Sequence, residues 1–278
     1  MKYSRAYVEI INFCNKSCSF CPKTKREKRL MTKEQFDTVT DKLVGVTDYI
    51  YLHVMGEPLM HPEVRELVRL ARDKGFKCAI TTNGTLLKKV GDSIIDAGVY
   101  KVNISVHSFE DGTQTERLRY LFDCMEFADK ASKRGVLTVL RLWNLRHDNG
   151  RNLDTEGCLR EFFSDGEWVS SNRGARIRHK LHLEYGDRFD WPSMDIMPIG
   201  EEVTCYGLSD HFGVLCDGTV VPCCLDRNGD MPLGNIFEEE IKDILSSKRA
   251  REIKEGFDTG RAKEELCKRC GYARRFKI

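Results

Sequence analysis

Nine of the twelve cysteines in this chain fall into two groups, and the first group lies near the N-terminus. It follows a short apolar run and has the spacing C-x3-C-x2-C, at Cys14, Cys18 and Cys21. Three thiolates can hold three irons of a 4Fe–4S cluster. The fourth iron then keeps an open position, as catalytic metal sites do. The spacing therefore predicts a catalytic iron–sulfur cluster that binds a small ligand.

A zinc knuckle is the alternative interpretation of these three cysteines. A structural zinc ion takes four protein ligands, and in knuckles the fourth one follows closely in the sequence. The next histidines after the motif are His53 and His61, far beyond knuckle spacing. The open-iron interpretation is therefore favoured.

The second group lies in the last third of the chain and begins with the spacing C-x12-G-x4-C, followed much later by C-x2-C. Four thiolates fully ligate a 4Fe–4S cluster and leave no open iron. The predicted ligands are Cys205, Cys223, Cys267 and Cys270. Cys216 and Cys224 are additional; either replaces one of the four or simply packs. A four-cysteine zinc site is the alternative here, and spacing alone does not separate zinc from iron.

Strand-like and helix-like segments alternate along residues 1–185, and these elements must position the first cysteine group. Strand candidates are short and apolar, as strands covered on both faces are: Tyr7–Ile11, Tyr49–Met55, Lys77–Thr82, Lys101–Val106, Val136–Leu142 and Arg176–Glu184. Helical stretches lie between them, at Thr32–Leu43, Pro62–Lys74, Leu86–Ala97, Glu116–Arg134 and Leu153–Phe163. Such units predict an α/β fold with a parallel sheet. Six units predict a partial (βα)6 barrel, with the chemistry at the C-terminal ends of its strands.

Residues 186–278 have a different pattern and are predicted to form a small second domain around the second cysteine group. Asp217-Gly218 between two apolar runs predicts a hairpin, with strands at Gly213–Cys216 and Thr219–Pro222. A single helix is predicted over Ile236–Ile253.

The composition of the chain argues against several classes of protein. The formal charge is +2, from 45 basic and 43 acidic residues, which argues against a dedicated nucleic-acid binder. No apolar run is long enough to cross a membrane, and the first ten residues do not form a signal peptide. The expectation is a cytoplasmic protein, and many cysteines in a reducing compartment indicate metal binding or catalysis rather than disulfides.

The first motif, with an aromatic residue before its last cysteine, resembles the signature of the radical S-adenosylmethionine (SAM) superfamily. The resemblance implies that Phe20 lies by the adenine of SAM. Gly56-Glu57-Pro58 resembles the family element that binds the amino group of SAM, although Met55 stands where the family often has another glycine. Residues at later strand ends are carried over by the same resemblance: Asn83 to the SAM site, Ser105 to the ribose and Arg141 to the methionine carboxylate. For Asn83, formation of the turn before Gly84 is the alternative.

The second group resembles the auxiliary-cluster modules called SPASM and twitch. The full SPASM pattern has seven cysteines and two clusters. Its C-x2-C-x5-C-x3-C run is absent here, so the shorter twitch form with one auxiliary 4Fe–4S cluster fits better. The fold expectation is a partial (βα)6 barrel with a small C-terminal twitch/SPASM-like iron–sulfur domain.

These resemblances imply an enzyme that cleaves SAM reductively and abstracts a hydrogen atom from a small-molecule substrate. A reducing partner such as flavodoxin or ferredoxin is expected. The length and C-terminal layout resemble those of queuine lyases, which cleave a C–N bond and release 7-aminomethyl-7-deazaguanine (preQ1) for queuosine salvage. Glu9 is a candidate to bind the guanine-like edge of that substrate.

Several alternatives remain open on the sequence. The cysteine layout also resembles that of twitch-bearing dehydrogenases of amino-cyclitols, and a peptide-modifying maturase is a third option. A non-catalytic iron–sulfur or zinc protein is the alternative from another class. The basic segments Lys23–Arg29 and Arg173–Lys180 are interpreted as solvated surface or as attraction for an anionic substrate.

Overall fold

The computed structural model describes residues 2–276 of the chain. Its strands form one eleven-stranded sheet, in the spatial order β11-β10-β9-β1-β2-β3-β4-β5-β8-β7-β6. The strands are β1 Arg5–Val8, β2 Tyr49–Tyr51, β3 Lys77–Thr82, β4 Lys101–Ser105, β5 Leu137–Leu145, β6 Val169–Ser171, β7 Gly174–Arg178, β8 Leu181–Asp187, β9 His211–Val214, β10 Thr219–Val221 and β11 Gly234–Asn235. The helices are α1 Lys33–Leu43, α2 Val64–Asp73, α3 Leu87–Ala97, α4 Gln114–Lys133, α5 Arg151–Phe162, α6 Ile241–Leu245, α7 Lys248–Asp258 and α8 Glu265–Lys268.

Six neighbouring strands, β1 to β5 and β8, run parallel and form the open barrel that the sequence predicts. Helices connect successive strands, as parallel pairing requires. Helix boundaries follow from local signals: Thr32 and Gln35 form a capping box at α1, and Thr113 and Glu116 form another at α4. Gly98 ends α3 in the left-handed conformation, as a C-terminal glycine does. Among residues 2–276, no helix combines the length and the apolar character needed to cross a membrane.

The two faces of the parallel strands differ in chemistry. Residues on one face, such as Ile50, Ile80 and Leu140, are fully buried in the core that the helices cover. The registers Tyr7↔Tyr51, Thr81↔Asn103 and Arg141↔Glu184 place polar and aromatic residues together on the opposite face. We call this opposite face, which carries Tyr7, His53, Asn103, Arg141 and Glu184, the inner face.

One predicted strand is wrong. The stretch Arg176–Glu184 is an antiparallel hairpin of β7 and β8, with β6 added beyond it. Its turn at His179-Lys180 puts Lys180 at φ +62°. The stretch contains no glycine or proline, so nothing in the sequence marks this turn.

The C-terminal region extends the barrel sheet. The hairpin at Asp217-Gly218 is confirmed, since β9 and β10 pair antiparallel. β9 also pairs in parallel with β1, in the register Val8↔Val214. The single helix predicted over Ile236–Ile253 is wrong, because Ser246 ends α6 and Ser247 caps α7 through the amide of Ala250.

Phe212 on β9 tests the junction between the two regions of the sheet. Its ring is fully buried and meets the edge of Tyr3 at a centroid distance of 5.0 Å. We expect Phe212→Ala to lower the free energy of unfolding by about 3–5 kcal/mol, because it leaves a cavity. Denaturant unfolding of the purified protein measures this change. Leu153→Ala is the control, since Leu153 is 78% exposed. Equal effects of the two substitutions would contradict the importance of the β1–β9 junction.

Candidate active site

The first cysteine group lies in a long loop between β1 and α1, at the C-terminal end of the parallel strands. Asn12 closes the loop at its base, because its side chain donates to Glu27 O (2.7 Å) and accepts from Arg29 N (2.8 Å). Above this base the chain is more open: Cys14 is exposed, and Cys18 and Cys21 are half-buried. The position matches the expectation that the motif follows the first strand.

The three thiols lie within electrostatic range of one another. Burial, followed by the charges of Glu110, Cys21 and Cys14, raises the pKa of Cys18 to about 12. The Cys18 thiol contacts Ser108 O at 3.5 Å. Glu110 also accepts hydrogen bonds from the Ser19 amide (2.5 Å) and hydroxyl (2.6 Å), which attaches the loop to the segment after β4. A donor set of three thiols on one short loop fits a 4Fe–4S cluster with one open iron.

Glu9, at the start of this loop, is fully buried and its carboxylate is saturated by protein donors. Arg26 Nη2 lies 2.7 Å from both oxygens, and the amides of Met55 (3.1 Å) and Cys216 (3.2 Å) also donate to them. The expectation that Glu9 binds a guanine-like edge is therefore wrong, because none of its oxygens is left for a substrate. Glu9 instead ties the cysteine loop, the end of β2 and the C-terminal hairpin together.

Gly56-Glu57-Pro58 supports the cysteine loop from below. Gly56 has φ +79°, and a Cβ atom there would lie 2.3 Å from Ile11 O. The Glu57 amide donates to Phe13 O at 3.1 Å. Only glycine allows the two backbone segments to approach so closely.

The Glu57 side chain is buried beneath the loop. Its carboxylate accepts hydrogen bonds from Thr82 Oγ1 (2.7 Å), the Asn83 amide (2.7 Å) and the Leu59 amide (3.0 Å). Burial raises the pKa of Glu57 to about 7 although these hydrogen bonds oppose the shift. The carboxylate thus joins the ends of β2 and β3, while Pro58 is buried beside it.

Asn83 combines the two roles considered from the sequence. Its Oδ1 accepts from the Thr85 amide (3.0 Å), which forms the turn, and its Nδ2 donates to Asn15 Oδ1 (2.8 Å) and to Cys14 Sγ (3.5 Å). The side chain therefore reaches the first thiol of the motif.

A cavity of about 240 Å³ opens between the cysteine loop and the ends of β4 and β5. Phe20 and His107 face each other in its wall, with ring centroids 5.0 Å apart. Trp143 and Arg188 also line it. Of the residues assigned to SAM by resemblance, Phe20 lines this cavity; Gly56, Glu57, Pro58, Asn83, Ser105 and Arg141 do not.

Ser105 and Arg141 are paired across β4 and β5. The Arg141 guanidinium lies 4.5 Å from the Trp143 ring centroid, and its Nε is 3.3 Å from Glu184 Oε2. Sequence reasoning missed Glu184 and left Trp143 and His107 without a role. Period-two alternation along β5 places Trp143 on the face of Arg141, whereas His107 lies beyond the end of β4, in a 3-10 turn over Val106–Ser108.

The second cysteine group gathers at the C-terminal hairpin. Burial, followed by the charges of Cys224, Cys205, Cys267 and Cys270, raises the pKa of Cys223 well above its usual range. The Cys267 thiol contacts Met231 Sδ at 3.6 Å, and the Cys270 amide donates to Cys267 O. The four predicted ligands are thus close to one another, and this donor set fits a fully ligated cluster.

The two additional cysteines make other contacts, although the charge of Cys224 also acts on Cys223. Cys216 is fully buried and its thiol donates to Glu9 O at 3.1 Å, away from the other thiols. Cys224 packs against Val54, Met55 and Val221, and its thiol hydrogen-bonds with Tyr7 on the inner face. Among residues 2–276, no three Cys, His, Asp or Glu side chains converge closely enough to enclose a single metal ion.

The loop after Cys223 holds the first cysteine loop in place. Arg227 O accepts hydrogen bonds from Thr24 Oγ1 and Arg26 Nε, both at 2.9 Å. Asn228 Oδ1 accepts from the Lys25 amide at 3.1 Å. The conformation of the catalytic loop therefore depends on the C-terminal region.

Gly56→Ala tests the support of the cysteine loop. The added Cβ would displace the backbone at Ile11, so we expect the protein to lose the iron held by the N-terminal loop after anaerobic reconstitution. Iron and sulfide analysis measures the loss. Gly45→Ala is a matched control, because Gly45 has φ +78° but no atom within 4 Å of a Cβ. Equal iron content in the two variants would contradict the role of Gly56.

Cys216 and Cys223 allow a second comparison. We expect Cys223→Ala to lose the auxiliary cluster, because Cys223 is surrounded by the other thiols, and Cys216→Ala to keep it. Mössbauer spectra of the reconstituted variants count the clusters. Retention of both clusters in Cys223→Ala, or loss of one in Cys216→Ala, would contradict this assignment.

Similar proteins agree with this arrangement. Residues 8–155 match the Radical SAM superfamily, and residues 205–271 match SPASM, an iron–sulfur cluster-binding domain. An S-adenosyl-L-methionine-dependent 2-deoxy-scyllo-inosamine dehydrogenase of Niallia circulans is 23% identical over 96% of this chain and 92% of its own. A GTP 3′,8-cyclase of Microcystis aeruginosa is 24% identical over 88% of each chain.

Solved structures show the same fold. BtrN in complex with AdoMet and 2-DOIA has a TM-score of 0.65 at 20% identity, and the match covers 97% of this chain and 94% of BtrN. The structure of anSMEcpe with bound AdoMet has a TM-score of 0.61 at 15% identity, covering 91% and 83%. The family match spans more than half of the chain, and its chemistry requires a 4Fe–4S cluster and SAM, with an auxiliary iron–sulfur cluster in the C-terminal region. This chain belongs to the radical SAM superfamily of enzymes.

Proposed function

We propose that this enzyme abstracts a hydrogen atom from a hydroxylated carbocyclic amine held on the inner face of its barrel. The observation that carries the proposal is the polar inner face itself, which begins at the strand ends beneath the cysteine loop. Cys14, Cys18 and Cys21 would hold the 4Fe–4S cluster, which when bound would supply the one-electron reduction of SAM that makes hydrogen abstraction possible. The protein holds the reactants together and keeps water away.

The proposed SAM site is built from the ends of β1 to β5. Cys14, Cys18 and Cys21 hold the cluster. Phe20, in the wall of the cavity, packs by the adenine, and Ser105 and Arg141 bind the ribose and the methionine carboxylate. The main chain of Gly56-Glu57-Pro58 lies by the amino group, because the Glu57 carboxylate is already engaged. Asn83 orients Cys14 from the side.

The proposed auxiliary site lies in residues 186–278 and uses Cys205, Cys223, Cys267 and Cys270. A cluster with four thiolates has no open iron, so electron transfer suits it better than substrate binding. A dehydrogenation needs such an acceptor, since a substrate radical must lose a second electron. The external reductant is proposed to be a flavodoxin or ferredoxin in the cytoplasm, and the exposed basic residues Lys23, Lys25 and Lys28 beside the cysteine loop suit such an acidic carrier.

Two substrates share the proposed chemistry. Queuine, cleaved at its C–N bond to release preQ1 for queuosine salvage, carries a cyclopentenediol on an amine. An amino-cyclitol carries several hydroxyls and an amine, and its dehydrogenation is the second candidate because the Niallia circulans relative matches 96% of this chain. Both place hydroxyl groups and a nitrogen on a small carbon ring, which suits carboxylate, amide and aromatic side chains together.

The proposal is tested with anaerobically reconstituted protein, SAM and a reductant. We expect 5′-deoxyadenosine to form, and its rate to rise when queuine or 2-deoxy-scyllo-inosamine is added. Mass spectrometry distinguishes release of preQ1 from oxidation of the cyclitol. GTP is the third compound added in the assay, because the Microcystis aeruginosa relative is a GTP 3′,8-cyclase.

A variant with Cys14, Cys18 and Cys21 all replaced by Ala is the negative control and must form no 5′-deoxyadenosine. Stimulation by GTP alone would contradict the carbocyclic-amine proposal and leave SAM cleavage intact. Absence of SAM cleavage in a fully reconstituted wild-type protein would contradict the proposed reaction as a whole.

A further inference from the structure

The inner face contains a buried acceptor that the protein leaves without a donor. Asn103, in the middle of β4, is fully buried, and its Nδ2 donates to Thr81 Oγ1 at 3.1 Å. Among residues 2–276, nothing donates to its Oδ1. The bond to Thr81 holds the amide through its Nδ2 and leaves Oδ1 without a donor. A buried acceptor without a partner is destabilising, so this one needs an explanation, and a bound ligand that donates to it would provide one.

His53 has a second such group. It follows β2, which lies on the other side of β3 from Asn103. Its Nδ1 is buried and has no hydrogen-bond partner in the described part of the chain. Burial and the charge of Arg141 lower the pKa of His53 to about 3, so its ring is neutral. The ring meets Tyr7 at a centroid distance of 5.5 Å and Tyr51 at 5.9 Å. A neutral ring can accept or donate one hydrogen bond to an uncharged group.

Glu184 completes the polar set from β8. It is directly opposite Arg141 in register, and its side chain is 36% exposed, so a ligand in the barrel can reach it. The aromatic rings of Tyr7 and Trp143 lie on the two sides of this region. The inner face thus offers two acceptors and one neutral ring between aromatic surfaces.

We propose that Asn103, His53 and Glu184 form the substrate subsite of this enzyme and recognise neighbouring hydroxyl groups on a small ring. This inference rests on the proposed function and names the residues that bind the hydroxyl groups of the substrate. Hydroxyl groups donate to Asn103 Oδ1 and Glu184, and one accepts from or donates to His53. The carbon face of the ring packs against Tyr7 and Trp143.

The chemistry of the set disfavours an anionic group at this position. The Asn103 carbonyl and the Glu184 carboxylate both repel a phosphate or carboxylate, and the neutral His53 adds no attraction. Two cations act on the Glu184 carboxylate: Arg141, whose Nε lies 3.3 Å from it, and Lys101 on β4. An uncharged group that carries hydroxyls therefore suits Asn103, His53 and Glu184 better than a phosphate does.

Asn103→Leu and Asn103→Asp separate recognition from packing. Both lose the bond that the amide donates to Thr81, but only Asp keeps an acceptor oxygen. Isothermal titration of the reconstituted holoenzyme with SAM present measures binding of 2-deoxy-scyllo-inosamine and of queuine. We expect Asn103→Leu to weaken the binding of at least one probe about tenfold, and Asn103→Asp to restore most of it. Cyclohexylamine, which lacks hydroxyls, is expected to show no difference between the variants.

Asn172→Leu, at an exposed turn, is the matched control. Variants are compared at equal iron content and melting temperature, and His53→Phe provides a second test if Asn103→Leu does not fold. Equal affinity of wild type and Asn103→Leu for both probes would overturn the subsite. Failure of wild type to bind either probe while it cleaves SAM would overturn the subsite and the carbocyclic-amine substrate, and would leave SAM cleavage intact. Failure to cleave SAM would overturn the proposed function instead, and the titrations would still decide the subsite.

Discussion

The buried carboxylate of Glu9 is the constraint on which the arrangement of both cysteine groups depends. A fully buried ionised carboxylate is costly, and burial raises the pKa of Glu9 even with Arg26 beside it. The cost is met by donors from three segments: the catalytic loop through Arg26, the end of β2 through Met55, and the hairpin through Cys216. If any one segment moves, the carboxylate loses a donor, so the three segments move together or not at all.

This constraint gives the auxiliary region a structural role besides any redox role. The hydrogen bonds from Thr24 and Arg26 to Arg227 O fix the far half of the catalytic loop. The backbone between Cys223 and Arg227 is short, so the position of the second thiol group is transmitted to the first one. Gly56 limits the loop from the opposite side, where backbone approaches backbone. The catalytic loop is therefore held between two rigid surfaces.

The sequence predicts those features of the fold that depend on local spacing. The cysteine motifs, the hairpin at Asp217-Gly218 and most strand and helix positions follow from patterns a few residues long. The β7–β8 turn was not predicted, because the left-handed position in it is occupied by Lys180. A glycine or asparagine there would have indicated a turn. The role of Glu9 escaped because its partners are 17, 46 and 207 residues away, and pattern reasoning does not reach them. Cys216 could not be separated from the ligands for the same reason, since only the packed hairpin shows where its thiol points.

The parallel pairing of β9 with β1 has a consequence for when the first cysteine group reaches its final arrangement. During synthesis, β1 emerges first and finds β2 soon afterwards, but its other edge has no partner until residues 211–214 have left the ribosome. An unpaired strand edge invites association with other chains. Until then the catalytic loop also lacks its contacts to Arg227 and Asn228. The contacts that fix the N-terminal motif therefore form only after residues 211–228 have been made, so these cysteines reach their final arrangement long after they are translated.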